Sequence, residues 1–221
     1  MDLLRVALTF DAEHPSRRRC PPGIADKIVA ELDRLAVRAT FFIQGRWATA
    51  YPELALKIAR AGHRIGNHSH FHAPVPALSD DGLRRDLETA EAAIRGISGV
   101  DPRPWFRCPF GAGHDDPRLL AALATLGYRN VHWDIDGKDW AEDQAAGAVE
   151  STIVDGVLAH GDGAVVLMHT WPEPALTALP SIITRLRAGG ASLVTVDAVI
   201  EPTGTLIRGR WASSLGPRAA P

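Results

Sequence analysis

Short β-rich runs alternate with longer segments whose apolar residues recur at helical spacing, and this alternation limits the chain to a small set of folds. Residues 3–10 (LLRVALTF) read as a first strand, and Ile24, Ile28, Leu32 and Leu35 mark a helix over 24–35. Further strands are expected at 39–44, 63–66, 105–107, 129–133, 164–168 and 192–196. Further helices are expected at 52–61, 83–97, 117–126, 148–158 and 176–188. The punctuation agrees: Pro52 suits a first helical turn, Ser79 or Asp80 an N-cap, and Gly62, Gly127 and Gly189-Gly190 helix ends. Seven strands, mostly separated by helices, predict a parallel sheet with helical cover. Two architectures compete, an open doubly wound sheet and a closed barrel. No G-x-G-x-x-G follows the first strand and no G-x-x-x-x-G-K-S/T occurs, which argues against nucleotide-binding versions of either. At 221 residues, one domain over 1–200 is expected. Residues 201–221, rich in Gly, Pro, Arg and Ser, read as an irregular tail.

Charge and composition remove whole classes of function. Lys+Arg is 24 against Asp+Glu 26, so there is no basic excess to neutralise a phosphate backbone, and no nucleic-acid partner is expected. No apolar run approaches the ~18 residues of a membrane span, so no membrane association is expected. The two cysteines, Cys20 and Cys108, cannot build a disulfide framework and form no C-x-x-C pair. The first residues lack a basic region followed by an apolar stretch. As the chain stands a cytoplasmic location is expected, and secretion if a leader has been removed.

Polar residues collect just after the expected strands, the edge where α/β folds build active sites. Asp11 and Glu13 end the first strand, and alternation places both on one side of an extended chain. His68 and His72 follow the third; four residues apart, they share a face of a helical turn and can share a metal. A neighbouring carboxylate would complete a two-His-one-carboxylate set. The middle histidine, His70, reads as supporting or surface. Arg107 precedes Cys108-Pro109-Phe110-Gly111, an irregular turn whose backbone N–H can face an oxyanion, with Arg107 pinning a carboxylate. Cys108 has no catalytic signature around it and reads as an inert thiol. Asp139 and His169 each follow a strand; a carboxylate hydrogen-bonded to a histidine raises its pKa and suits a general acid.

In this order the segments resemble the polysaccharide deacetylases of carbohydrate esterase family 4, the NodB-homology family. Thr9-Phe10-Asp11 is similar to the start of its T-F-D-D motif. Residues 62–72 (GHRIGNHSHFH) resemble G-H-x-I-G-N-H-S/T-x-x-H, the most specific match. Residues 107–111 resemble R-x-P-F/Y-G, 136–140 resemble D-x-x-D-W, and 167–169 resemble L-x-H.

The resemblance implies a distorted (β/α)7 barrel related to the TIM barrel. It implies Asp11 as general base held by Arg107, His68 and His72 as metal ligands, and His169 as general acid supported by Asp139. Trp140 and Leu167 would wall the acetyl group, and the backbone N–H near Phe110 would help stabilise the oxyanion. The family's second aspartate is Ala12 here, which cannot ligate; Glu13 is the available substitute. The implied cofactor is a divalent metal, Zn²⁺ first, with Co²⁺, Ni²⁺ or Mn²⁺ as alternatives. The implied reaction removes an N-acyl group, N-acetyl first, from an amino sugar or glycan. Two other readings stand beside it: a small-molecule amidohydrolase on the same barrel (a deformylase or cyclic-amide hydrolase), and a non-catalytic carbohydrate-binding relative.

Overall fold

The computed structural model describes residues 4–18, 20 and 22–200. Its strands are β1 (Leu4–Ala12), β2 (Thr40–Ile43), β3 (Arg64–Asn67), β4 (Trp105–Phe106), β5 (Arg129–Asn130), β6 (Ile135–Asp136), β7 (Ala164–His169) and β8 (Ala191–Val194). Its helices are α1 (Pro22–Arg34), α2 (Gly45–Ala50), α3 (Pro52–Arg60), α4 (Asp80–Ser98), α5 (Pro117–Thr125), α6 (Ala146–His160), α7 (Glu173–Ala188) and α8 (Val196–Val199). The sheet runs β5-β4-β3-β2-β1-β7-β6, with β8 beside the first half of β1. Every pairing is parallel. This is a curled α/β sheet of the barrel kind, not an open doubly wound one. The expected tail, 201–221, lies outside the described residues.

The sheet is buried on both faces, and the two faces differ in company. Along β1, Val6, Leu8, Phe10 and Ala12 pack under the helices with Ile28, Leu32, Ile58 and Ile182. Ala7 points the other way, into an interior layer with Phe42, Trp105, Val131, Val165 and Val196. The period of two then carries Thr9, Asp11 and Glu13 along the interior face toward the carboxyl ends of the strands. Burying a Leu- or Phe-sized side chain contributes roughly 1.5–3 kcal/mol, so the helix-side layer supplies most of the holding force. The interior is left free to carry polar groups.

The expected fifth strand, 129–133, shortens to β5, and a further short strand that the pattern did not predict, β6, follows it. Val131 N–H donates to Phe106 O at the end of β4 at 2.7 Å, and Asp134 N–H donates to Val165 O in β7 at 2.9 Å. One continuous segment therefore bonds to both sides of the curl and bridges them. The last expected strand stops at Val194 rather than 196. Val196 N–H is taken by Thr40 Oγ1 at 3.1 Å, which turns the chain into α8 and seats Val196 in the interior layer.

Capping explains where the long α4 starts and stops. Ser79 Oγ accepts Gly82 N–H at 3.2 Å, so Ser79 and not Asp80 is the cap. Gly99, at φ 73°, closes the helix in the left-handed conformation that glycine adopts without strain. Asp116 caps α5 in the same way through Arg118 N–H.

Candidate active site

β1 delivers Asp11 and Glu13, and the β1–β7 register sets Asp11 directly beside His169. Arg107, the residue after β4, is fully buried. One of its guanidinium nitrogens donates to Asp11 Oδ1 at 2.9 Å and to Thr9 Oγ1 at 2.8 Å, and its Nε donates to Val131 O at 3.1 Å. The guanidinium lies 4.1 Å from the centre of the Phe42 ring. Thr9 Oγ1 in turn donates to Val166 O at 2.6 Å. Strands β1, β4 and β7 and the bridging segment thus fix one carboxylate.

The segment 68–72 brings in both histidines, but not as the helical turn expected from their spacing. It is irregular, with left-handed backbone at Ser69 (φ 66°) and His72 (φ 58°). Side chains replace the missing helical bonds. Asn67 Oδ1 accepts Ser69 N–H at 2.9 Å and Ser69 Oγ accepts His72 N–H at 3.0 Å. Asp86 on α4 accepts the N–H groups of His70 and Phe71 at 2.9 and 3.1 Å. Two positive φ values turn the chain back on itself, so the rings converge without a helix.

Glu13, His68 and His72 are buried, and each offers a ligand atom within 4.8 Å of the others. His68 Nδ1 faces Arg107 O at 3.0 Å, which makes it the donor and leaves the Nε2 lone pair pointing inward. That Nε2 lies 3.2 Å from His72 Nε2 and 3.3 Å from Glu13 Oε2, and Glu13 Oε2 also touches His72 Nε2. Lone pairs and carboxylate oxygen meeting in a buried space repel unless a cation lies among them. Two imidazoles and one carboxylate are a donor set suited to zinc and its neighbours. The titration directions show the same demand for positive charge among these groups. Burial would raise the Glu13 pKa, yet the imidazoles of His14, His68 and His72 hold it well below the usual carboxylate range. Burial would lower that of His68, yet Asp11 and Glu13 raise it. Ala12 is fully buried on the helix side of β1, so position 12 offers nothing to this cluster.

Across the cleft, His169 Nδ1–H donates to Asp139 Oδ1 at 2.8 Å. Burial works against a charged ring, but the Asp139 carboxylate outweighs it, and the His169 pKa is pushed up to about 10. The cleft between the two sides has a volume of about 460 Å³. Leu167, Trp140 and Phe110 line it, with Trp133 and Trp171. Phe110 sits in left-handed backbone at φ 59°, its ring edge-on to His72 at 4.4 Å between centres. Of the four large hydrophobic side chains exposed among the described residues, Trp140 and Phe110 border this cleft. A third, Phe71, borders a smaller recess that continues from it past Arg17 and Arg46. Seven of the ten residues singled out from the sequence therefore line the cleft; Arg107 and Asp139 stand directly behind Asp11 and His169, and His68 lies behind Glu13 and His72.

Sequence reasoning passed over His14, Trp171 and Asp86. His14 Nε2 lies 2.8 Å and Trp171 Nε1 3.3 Å from Glu13 Oε1. Asp86 did leave a signal, since it interrupts the buried stripe of Leu83, Leu87, Ala90 and Ile94 on α4. A charge in an apolar stripe needs a partner, and here the partners are two backbone N–H groups. Cys108 is buried, and burial pushes its thiol up to about 12, as befits an inert side chain.

The chain matches the polysaccharide deacetylase family profile over residues 4–131. It is 30% identical over 201 residues to a peptidoglycan-N-acetylglucosamine deacetylase of Bacillus cereus, covering 89% of this chain and 68% of that protein. It is 31% identical over 178 residues to the uncharacterized protein YlxY of Bacillus subtilis, covering 80% of this chain and 53% of that protein, so the chain spans about half of that relative's length. Among solved structures it resembles one described as T48 deacetylase with substrate, at 29% identity and a TM-score of 0.76, covering 89% of this chain and 90% of the other.

Proposed function

The chain belongs to the polysaccharide deacetylase family, and from that membership we propose a hydrolase that removes an N-acyl group, N-acetyl first, from an amino sugar or glycan. One observation carries the reading. A carboxylate fixed by Arg107 and a histidine held protonated by Asp139 face one cleft. Amide hydrolysis needs a base for the proton of the attacking water and an acid for the leaving nitrogen. A binding module needs neither, which argues against the non-catalytic reading.

Asp11 takes the proton of the attacking water, with Arg107 and Thr9 fixing its orientation. Glu13, His68 and His72 would hold the divalent ion, Zn²⁺ first, with Co²⁺, Ni²⁺ or Mn²⁺ as alternatives. Such an ion supplies polarisation of the acyl carbonyl and a lowered water pKa. The Phe110 N–H is the donor to the oxygen that gains charge. His169 passes its Nε2 proton to the leaving nitrogen while Asp139 keeps the ring oriented. Leu167 and Trp140 close around the acyl group. The exposed rings of Phe110 and Trp140 offer a flat apolar surface of the kind that marks ligand grooves, and this favours a sugar over a small cyclic amide.

Purified protein offered a panel of N-acyl sugars and small amides tests the proposal. Acetate from N-acetylated sugars is expected, lost on chelation and restored by Zn²⁺. Release from formamides or cyclic amides alone would move the substrate class to small molecules. Oligosaccharide binding with no acyl release from any substrate would defeat the enzyme reading.

A further inference from the structure

Glu13 stands in for an aspartate, and a glutamate has one more rotatable bond to immobilise. Its two oxygens have different surroundings. Oε2 faces the imidazoles of His68 and His72. Oε1 faces away from them, toward His14 Nε2 at 2.8 Å and Trp171 Nε1 at 3.3 Å. The indole N–H can only donate, and an imidazole nitrogen against a carboxylate also donates. Oε1 is thereby engaged by two donors, and one oxygen is left for the cluster.

His14 is itself held in place. Its N–H donates to Gln44 Oε1 at 3.1 Å, and Gln44 N–H donates to Ala12 O at 2.9 Å. Its backbone is left-handed at φ 58°, a conformation a non-glycine residue keeps only when its surroundings enforce it. Its ring meets that of His72 edge-on at 4.7 Å and that of Trp171 at 6.4 Å between centres. Trp171 also packs against His169, at 5.7 Å between ring centres. The two donors therefore come from loops on both sides of the cluster, after β1 and after β7.

We infer that His14 and Trp171 are positioning residues that clamp Glu13 Oε1, so that Glu13 serves the metal cluster as a single-oxygen ligand. The inference rests on the proposed role of Glu13. Hydrogen-bond partners of metal ligands typically contribute 10–100-fold in metal affinity.

The test measures Zn²⁺ affinity by competition with a chromogenic chelator, and the visible absorption of Co²⁺-loaded protein, in the full chain. His14→Phe and Trp171→Phe keep a ring and remove a donor, and His14→Gln restores one. Each Phe variant is expected to bind Zn²⁺ about 10-fold or more weakly. Both are expected to shift the Co²⁺ bands in the same direction, and His14→Gln to recover much of the loss. Wild-type affinity and spectrum in both Phe variants, with Zn²⁺ lost in Glu13→Ala, would overturn the clamp and leave Glu13 as a ligand. Undiminished Zn²⁺ binding in Glu13→Ala would remove the ligand and the clamp together. A Co²⁺ spectrum altered in His14→Phe but not in Trp171→Phe would make His14 a ligand in its own right and also overturn the clamp.

Discussion

Asp139 holds His169 at two points: one carboxylate oxygen accepts Nδ1–H at 2.8 Å and the other accepts the backbone N–H at 2.7 Å. The ring cannot rotate without breaking a bond between buried groups, and the opposite nitrogen is fixed toward the cleft. The second bond is the one the sequence could not suggest, since it involves only the main chain of His169.

This grip sets a pH dependence. As the proposed general acid, His169 works only while protonated, so its pKa should define the alkaline limb of activity. Burial would lower that pKa, but the Asp139 carboxylate outweighs burial and raises it to about 10, so the ring stays charged through neutral pH and loses its proton on the alkaline side. Asp139→Asn removes the charge that does most of the raising. The alkaline limb of kcat/KM against pH should then move to lower pH, toward the ordinary imidazole value of ~6.5. An unmoved limb would mean that another group sets it.

Asp11→Asn should lower kcat by about 10²-fold or more, as expected for the loss of a general base. The amide keeps the shape and can still accept from Arg107, so the buried guanidinium retains a partner. Metal content should be unchanged, because Glu13, His68 and His72 are untouched. Turnover within a few-fold of the original enzyme would assign the base elsewhere.

Thiol reagents should leave the native enzyme active. Cys108 and Cys20 are both buried, and the Cys108 thiol is pushed up to about 12. Mass spectrometry should find neither labelled until the chain is unfolded. Inactivation that tracks labelling of Cys108, and that Cys108→Ala prevents, would contradict this.

What was legible in the sequence follows from how local its cause is. Strand–helix alternation survives in one sequence because each strand must be apolar on both faces, and the seven expected strands all have counterparts. The bridge between the two sides of the curl was not legible. Residues 131–134 carry no pattern that says the segment changes partner from β4 to β7. The helices α2 and α8 were missed because six and four residues are too few for a period to register. At the site, the motif residues could be named but not the means of bringing them together. The convergence of His68 and His72 depends on Asp86, a residue from the next helix, and on two positive φ values that no residue type signals. His14 was hidden for the opposite reason: it directly follows the carboxylate it holds, where a histidine reads as part of a polar loop.

Position 12 gives the sharpest test of the proposal that Glu13 replaces the family's second aspartate. Ala12 is fully buried among the helix-side residues of β1, and Glu13, one step along the pleat, faces the interior. Restoring the family residue by Ala12→Asp should therefore not restore a ligand. The new carboxylate would point into the apolar layer that also holds Phe10 and Ile43, where an unpartnered polar group costs roughly 2 kcal/mol or more. Glu13→Ala should bind Zn²⁺ poorly, and the double variant Ala12→Asp, Glu13→Ala should bind it no better while unfolding at lower denaturant. Calorimetric Zn²⁺ titration and a urea melt of the same three proteins read both effects. If the double variant recovered Zn²⁺ binding, β1 would have to shift its pleat by one residue at its end, and the side of the strand that carries the ligand would be set by the ion rather than by the packing of Phe10 and Ala12.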